Sequence, residues 1–145
     1  MDLGLRGKKA IVTGATKGIG RAVIELLASE GVDIGLCART PEEVDEAVKA
    51  IRSRGVNCIG DAVNVRDGEA YKAWLTKTAE TLGGCDIFVP NVSAGGGMDS
   101  EKNWTRNFEI DVMHTVRGCE ALMPQLEKTG QGAIVIVGST NAVET

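Results

Sequence analysis

The sequence predicts an α/β protein with a doubly wound parallel sheet that is incomplete at its C-terminal side. Five short apolar segments alternate with segments of helical periodicity, and the apolar segments are continuous runs rather than alternating patterns. Continuous apolar runs are typical of parallel strands that are covered on both faces. The predicted strands are Lys9–Thr13, Val32–Cys37, Val56–Gly60, Asp86–Pro90 and Ala133–Gly138. Strand–helix–strand repeats of this kind wind around one sheet in right-handed crossovers.

Apolar spacing and end signals define the helices between these strands. The first, over 21–30, has a predicted buried face of Ile19, Ala22, Val23, Leu26 and Leu27. At the start of the second, Thr40 and Glu43 match a capping box, and Pro41 occupies the first helical position. Its predicted buried face consists of Val44, Ala47, Val48 and Ile51.

The third and fourth predicted helices are longer. The third starts near Asp67, ends before Gly83, and buries Tyr71, Trp74, Leu75, Thr78, Ala79 and Leu82. The fourth covers 101–128 and carries a stripe of Trp104, Phe108, Val112, Thr115, Cys119, Leu122 and Leu126. Pro124 is expected to distort its last turns, because proline lacks an amide donor and clashes with the preceding turn.

The composition is that of one globular domain and excludes several classes of function. The 145 residues are 43% hydrophobic and 25% charged, with a net charge of −4. The absence of a basic cluster argues against a nucleic-acid partner. Without a signal region or an apolar run of membrane-spanning length, a cytoplasmic protein with no membrane partner is expected. The four cysteines lack the spacing of metal ligands and are expected to be buried thiols. His114 is the single histidine, so no metal site is expected, and we interpret it as a packing or interface residue.

The most informative segment is 13–20, with the sequence Thr-Gly-Ala-Thr-Lys-Gly-Ile-Gly. It follows a predicted strand and opens a predicted helix, whose first N–H groups lack intrahelical acceptors and are therefore available to a pyrophosphate. Gly14 permits a tight turn, and Gly18 and Gly20 leave no side chain between backbone and ligand. An ordinary glycine-rich turn is the alternative, but the position between strand and helix favours a dinucleotide site.

The end of the second predicted strand distinguishes the two nicotinamide dinucleotides. A site that prefers NAD carries Asp or Glu about twenty residues after the glycines, where it binds the ribose 2′-hydroxyl. This sequence has Arg39 there, and a guanidinium can bind a 2′-phosphate with two hydrogen bonds. Lys17 supplies a second cation from within the glycine turn. Two solvated surface cations are the alternative, but together the two residues favour NADP(H) over NAD(H).

Several linked motifs resemble those of the short-chain dehydrogenase/reductase family, whose fold is Rossmann-like. The spacing T-G-x-x-x-G-x-G in 13–20 is typical of that family. Residues 86–93 resemble its segment after the fourth strand, and 132–139 resemble its fifth strand with the catalytic serine. Trp104 and Phe108 resemble the residues that are typical of the family at the start of its long helix. The resemblance covers the whole chain and implies hydride transfer between NADP(H) and a small-molecule carbonyl or secondary alcohol.

The resemblance also implies roles for individual residues. Ser139 would hydrogen-bond the substrate oxygen, and Asp111 stands where the family has an asparagine of its proton relay. Asn91 would hold the cofactor and the end of the fourth strand, and Asn64 and Val65 would lie near the adenine. The expected cofactor-binding residues are therefore Thr13, Gly14, Thr16, Lys17, Gly18, Ile19, Gly20, Arg39, Asn64, Val65 and Asn91.

The sequence departs from the family pattern at several of these positions. Pro90, Val92 and Ser93 replace the first Asn, the Ala and the Gly of the family's N-N-A-G motif. Asn64 stands where the family usually has an aspartate. An ionised Asp111 only accepts hydrogen bonds, which alters the geometry of the proton relay.

The family's catalytic Tyr and Lys form a Y-x-x-x-K motif after the serine, and the 145 residues contain no such motif. Tyr71, the only tyrosine, is expected in the core. We therefore expect residues 1–145 to be the dinucleotide-binding N-terminal part of a longer single-domain enzyme, inactive by itself. The alternatives are a cofactor-binding module without catalysis and a self-association module that acts through the fourth helix. The resemblance also implies that the full-length form is a homodimer or homotetramer. The loop Ser93–Asp99 would contribute to the substrate pocket.

Overall fold

In residues 2–97 and 99–139, five parallel strands form one sheet in the order β3-β2-β1-β4-β5, and helices cover its two faces. The computed structural model describes residues 2–97 and 99–139. The strands are β1 (Lys9–Thr13), β2 (Asp33–Ala38), β3 (Cys58–Ala62), β4 (Ile87–Val89) and β5 (Ala133–Ile134). The helices are α1 (Gly18–Ser29), α2 (Pro41–Arg52), α3 (Gly68–Leu82), α4 (Glu101–Asn107) and α5 (His114–Lys128), with a π-helical segment at Phe108–Met113. The predicted α/β class with a parallel sheet is confirmed.

Side chains of each strand alternate between two apolar cores. Val12 of β1 faces the core that α1 and α2 cover, together with Ile24. Ile11 faces the opposite core, where Tyr71 of α3 and Leu122 of α5 are fully buried. A parallel sheet requires such cover on both faces. The prediction that Tyr71 is a core residue is confirmed.

The order of the strands reverses at β1, which lies between β2 and β4. In open α/β sheets, ligands bind in the crevice that forms at such a reversal, beyond the carboxyl ends of the strands. Strand β5 is shorter than predicted, but the N–H groups of Val135 and Val137 still donate to Phe88 O at 2.9 Å and Pro90 O at 3.5 Å. The chain after β5 therefore continues along β4 toward the same edge of the sheet.

Helix α1 buries a face that differs from the predicted one. Its buried residues are Gly20, Ile24 and Ala28. Ile19 and Leu26, predicted to be buried, are exposed. Gly20 fixes this rotation, because an added Cβ would lie 2.4 Å from Gly14 O, so only a glycine fits against the preceding turn. Val23 and Leu27 of the predicted face are partly buried and pack against the core, so the prediction was correct for these two residues and wrong for Ile19, Ala22 and Leu26.

Helices α2 and α3 bury the predicted faces, but only α3 is capped as predicted. Asp67 Oδ1 accepts a hydrogen bond from Ala70 N–H at 3.2 Å, and Gly83 ends α3 with a φ of +84°. Pro41 lies in the first turn of α2, as predicted, but Thr40 makes no side-chain capping hydrogen bond. The predicted capping box is therefore wrong, and Glu43 has partners elsewhere.

The predicted fourth helix is interrupted by the π-helical segment. A π-helix has wider turns than an α-helix, so it shifts the face that the following residues present. Trp104, Phe108 and Val112 are exposed, and the predicted stripe is buried only farther along, at Leu122 and Leu126. Helix α5 continues through Pro124 to Lys128, so the departure from α-helical bonding lies at Phe108–Met113 instead of at the proline.

The described residues also settle the state of three cysteines. Cys37, Cys58 and Cys85 are buried free thiols, as predicted, and burial raises the pKa of each to about 12. Within residues 2–97 and 99–139, no three or more His, Cys, Asp or Glu side chains come together as a metal site would require. None of the helices in that part of the chain is both long enough and apolar enough to span a membrane.

Candidate functional site

A cavity of about 350 Å³ opens at the carboxyl ends of β1, β2 and β4, where the order of the sheet reverses. Most of the predicted cofactor-binding residues line it, namely Gly14, Thr16, Lys17, Arg39, Asn64, Val65 and Asn91. The other lining residues are Cys37, Ala38, Thr40, Glu43, Val63, Arg66, Val92, Ser93, Ala94, Arg106 and Ile110. The ends of β1, β2, β3 and β4, together with α2, α4 and the π-helical segment, thus bring together residues that are far apart in the sequence.

The glycine turn between β1 and α1 forms one wall of the cavity. Gly14 and Gly18 adopt φ values of +63° and +59°, which L side chains rarely adopt. The N–H of Gly14 donates to Cys37 O at 2.8 Å, which joins the turn to the end of β2. An added Cβ at Gly18 would meet no atom within 4 Å, so the turn is open on that side. This open, glycine-lined helix start fits the pyrophosphate of a dinucleotide.

Two helices begin at the cavity, and neither has a side-chain cap. Lys17 and Thr40, the N-cap residues of α1 and α2, line the cavity and make no capping hydrogen bond. Asp67 and Ser100, by contrast, cap α3 and α4 by accepting hydrogen bonds from backbone N–H groups three residues later. The partial positive charge of two helix starts is therefore left at one cavity, which favours an anionic ligand.

Asn91 ties the end of β4 to the glycine turn. Its Nδ2 donates to Thr13 O and to Gly14 O, each at 3.1 Å, and its N–H donates to Thr13 Oγ1 at 3.0 Å. Thr13 Oγ1 also lies 3.5 Å from His114 Nε2, while Nδ1 of the same ring donates to Ile110 O. Thr13 is fully buried, so its side chain holds Asn91 and does not line the cavity.

Burial determines the charge state of His114. Burial lowers the pKa of its imidazole, and Ile110 O and Asp111 oppose that shift only in part. The ring is therefore neutral at pH 7. Its Nδ1–H donates a hydrogen bond to Ile110 O, and the lone pair of Nε2 is directed toward Thr13 Oγ1. The predicted packing role of His114 is confirmed, since its side chain is buried.

Charged side chains line the cavity. The cations that line it are Lys17, Arg39, Arg66 and Arg106. Glu43 contributes a carboxylate, whose Oε2 accepts a hydrogen bond from Thr16 Oγ1 at 3.1 Å. Its Oε1 lies 3.7 Å from Lys17 Nζ. Because the cations outnumber this carboxylate, the lining has an excess of positive charge.

The glycine-rich loop 93–97 is held by side chains of α4 and of the π-helical segment. Arg106 Nη2 donates to Gly96 O at 2.7 Å, and Asn107 Nδ2 donates to Gly97 O at 2.8 Å. Asp111, in the π-helical segment, accepts a hydrogen bond from Ala94 N–H at 2.8 Å. Asp111 therefore positions the loop, and its role in a proton relay stays a prediction. Met98, in the predicted loop 93–99, lies outside the described residues.

A comparison with protein families decides the classification. The family model described as short chain dehydrogenase matches residues 8–145. This chain belongs to the short-chain dehydrogenase family. It is 33% identical over 138 residues to isoepoxydon dehydrogenase patN of Aspergillus clavatus, an alignment that covers 93% of this chain and 53% of that protein. It is 35% identical over 147 residues to 7alpha-hydroxysteroid dehydrogenase of Clostridium sardiniense, with coverages of 96% and 56%.

Two solved structures show the same fold. L-sorbose reductase from Gluconobacter frateurii, complexed with NADPH and L-sorbose, superposes with a TM-score of 0.93 at 34% identity, over 99% of this chain and 56% of the other. Carveol dehydrogenase from Mycobacterium avium, in complex with NAD, superposes with a TM-score of 0.90 at 26% identity, with coverages of 97% and 57%. The chain spans about half the length of the relatives that it matches.

Some short-chain dehydrogenase motif residues lie outside the lining of the cavity. Gly18, Ile19 and Gly20 are in the adjoining helix start, and Ile19 is exposed. Ser139 is exposed, and it lies two residues after Val137, whose N–H donates a hydrogen bond to Pro90 O. The roles predicted for these residues in binding and catalysis stay predictions.

Sequence reasoning missed several residues that line the cavity, chiefly Thr40, Glu43, Arg66 and Arg106. Thr40 and Glu43 were interpreted as a cap, although they follow Arg39 at the same edge of the predicted sheet. Arg66 adjoins Val65 in sequence and could have been found from that neighbour. Arg106 had no signal, because its position depends on the loop that it holds.

Proposed function

We propose that this chain is the dinucleotide-binding part of an NADP(H)-dependent oxidoreductase that transfers a hydride between the nicotinamide and a small-molecule carbonyl or secondary alcohol. The observation that carries this proposal is the cavity itself, where a glycine turn, two uncapped helix starts and several cations surround one space. Family membership supports the same chemistry, since the two solved relatives described above contain NADPH and NAD.

Parts of the cofactor have matching groups in the cavity. The first N–H groups of α1 and the open turn at Gly18 would bind the pyrophosphate. Val65 and Ile110 offer apolar surface to the adenine, and Asn91 keeps the turn in place. When bound, the cofactor supplies the hydride, and the protein supplies position and electrostatics.

Arg39 is the residue on which the preference for NADP(H) rests. It follows β2, lines the cavity and is exposed, so its guanidinium is accessible to a 2′-phosphate. The ribose 2′-hydroxyl of NAD(H) carries no charge and gains less from a guanidinium. We therefore expect tighter binding of NADPH than of NADH.

Catalysis requires groups besides those that bind the cofactor. Ser139 would orient the substrate oxygen by a hydrogen bond. Tyr71, the only tyrosine of the sequence, cannot exchange the proton, because its side chain is fully buried and burial raises the pKa of its hydroxyl. We therefore propose that the 145 residues bind the cofactor without turnover.

Titration of the purified chain with NADPH and with NADH, followed by nicotinamide fluorescence, tests this function. We expect saturable binding of both cofactors, tighter binding of NADPH, and displacement of NADPH by adenosine 2′,5′-bisphosphate. Carbonyl reduction by the 145 residues would overturn the proposal that they are inactive. The absence of saturable binding of either cofactor at millimolar concentration would overturn the dinucleotide site.

A second function, self-association, is favoured by an apolar stripe on the long helix. Trp104, Phe108, Val112 and Val116, spaced four residues apart, are 57%, 55%, 44% and 42% exposed. Contiguous apolar surface of this kind marks interaction sites more often than ordinary surface. We propose that this stripe joins copies of the protein as homodimers or homotetramers.

A further inference from the structure

Glu43 is the one carboxylate that lines the cavity within residues 2–97 and 99–139. It lies in the first turn of α2, where the helix dipole stabilises a negative charge. Its two oxygens reach across to the glycine turn, one to Thr16 Oγ1 at 3.1 Å and the other toward Lys17 Nζ at 3.7 Å. The side chain therefore connects the start of α2 with the start of α1 across the cavity.

A structural role in capping α2 does not account for this position. In a capping box, the side chain of Thr40 would accept a hydrogen bond from the backbone N–H of Glu43. The carboxylate of Glu43 would in turn accept a hydrogen bond from the backbone N–H of Thr40. Thr40 makes no side-chain capping hydrogen bond, and the Glu43 carboxylate instead accepts a hydrogen bond from Thr16 Oγ1. The carboxylate therefore belongs to the cavity more than to its own helix.

The charge of Glu43 affects the two nicotinamide dinucleotides differently. Glu43 offsets the charge of Lys17, one of the two cations that would attract a 2′-phosphate. It would also repel a 2′-phosphate bound in this cavity, because both groups are negative. A 2′-hydroxyl meets neither cost, and it can donate a hydrogen bond to a carboxylate.

We propose that Glu43 is a specificity-determining residue that opposes binding of the 2′-phosphate. Cofactor choice then follows from the balance between Arg39 and Lys17 on one side and Glu43 on the other. This inference rests on the proposed dinucleotide site, and it makes the preference for NADP(H) weaker than the two cations alone would produce.

The variant Glu43→Gln tests this role, since glutamine still accepts a hydrogen bond from Thr16 but carries no charge. The probes are adenosine 2′,5′-bisphosphate and AMP, which differ by the 2′-phosphate, with dissociation constants measured by calorimetry on the purified chain. We expect the bisphosphate to bind about fivefold more tightly to the variant, because one nearby repulsive charge in a partly exposed site has been removed. The affinity for AMP should change by less than about twofold, since AMP lacks the 2′-charge.

The matched control is Glu42→Gln, one residue earlier on the same helix turn. Glu42 is exposed and lies outside the lining of the cavity, so this variant makes the same change of net charge at a different place. A second control combines Glu43→Gln with Lys17→Met. The gain from Glu43→Gln should become smaller in the Lys17→Met background, because part of it comes from releasing Lys17.

The outcomes separate this role from the dinucleotide site. The role of Glu43 would be contradicted if Glu43→Gln left the ratio of bisphosphate to AMP affinity unchanged, or if Glu42→Gln changed that ratio equally. In either case, binding of the probes to the wild type would still support the dinucleotide site. A wild-type chain that binds neither probe and neither cofactor would overturn the site, and the role of Glu43 with it.

Discussion

The side-chain amide of Asn91 donates a hydrogen bond to the carbonyl oxygen of Gly14 at 3.1 Å, across the gap between β4 and the glycine turn. A second hydrogen bond from the same Nδ2 reaches Thr13 O. Two backbone carbonyls thus depend on one amide that is itself partly buried. The conformation of the turn that forms the cavity is therefore set from the end of β4, by a residue far away in sequence.

Replacement of Asn91 by Asp should destabilise the protein more than replacement by Ala. Alanine leaves two carbonyl oxygens without their donor, which we expect to cost about 1–3 kcal/mol of unfolding free energy. Aspartate adds a negative charge facing the same two oxygens, so the loss should be larger. Urea unfolding measures both variants, and equal stabilities for Asn91→Asp and the wild type would contradict this role.

Gly20→Ala should destabilise the protein although alanine is the better helix former. Propensity alone predicts a gain of about 1 kcal/mol. The new Cβ would lie 2.4 Å from Gly14 O, however, and overpacking against backbone costs about 1–3 kcal/mol. The control is Gly138→Ala, which meets no atom within 4 Å. If Gly20→Ala unfolds at the same or higher urea concentration than the wild type, the close contact does not fix α1.

The fold and much of the cavity could be predicted from the sequence because their signals are local. Continuous apolar runs mark parallel strands, and the spacing of Gly14, Gly18 and Gly20 marks a helix start that follows a strand. Helix α3 begins after Asp67 and ends at Gly83, as predicted, because caps depend on residues within one turn.

What the sequence could not predict depends on contacts between distant residues. The rotation of α1 is set by Gly20 against Gly14 O, and that of the long helix by a π-helical segment without a local signal. Glu43 matches a capping box, but a cationic partner on another element competes for its carboxylate. At Gly20 and at Glu43, a contact outside the helix outweighed a local preference.

Acidification should weaken the fold through His114. Burial lowers the pKa of its imidazole below the ordinary value of 6.5, so below that pH the unfolded chain binds more protons than the folded one. Stability from the neutral ring is then present above pH 6.5 and decreases as the pH falls, by at most about 1.4 kcal/mol per pH unit. His114→Gln should lose this pH-dependent component of stability when urea unfolding is measured between about pH 7.5 and about pH 5. Parallel pH profiles of variant and wild type would contradict it.

Phe108→Glu should shift the protein toward smaller species in analytical ultracentrifugation. An interface between copies would bury and desolvate a charge in the centre of the apolar stripe, which is costly. On the exposed surface of a monomer, the same charge stays solvated. Leu26→Glu is the control, because Leu26 is 68% exposed on α1, away from the stripe. Identical sedimentation of Phe108→Glu and the wild type, or an equal shift in Leu26→Glu, would contradict an interface at this face.

The most direct test of the cofactor site is the pair of dissociation constants for NADPH and NADH in the wild type and in Arg39→Asp. We predict that Arg39→Asp weakens the binding of NADPH by about tenfold or more, since hydrogen bonds to a charged group contribute about 1.5–3 kcal/mol. Lys49→Asp is the control, a charge reversal at an exposed position of α2 that does not line the cavity. It should affect both cofactors little. NADH binding to Arg39→Asp should stay close to that of the wild type, whereas an equal loss of NADPH and NADH affinity would contradict a 2′-phosphate contact at Arg39.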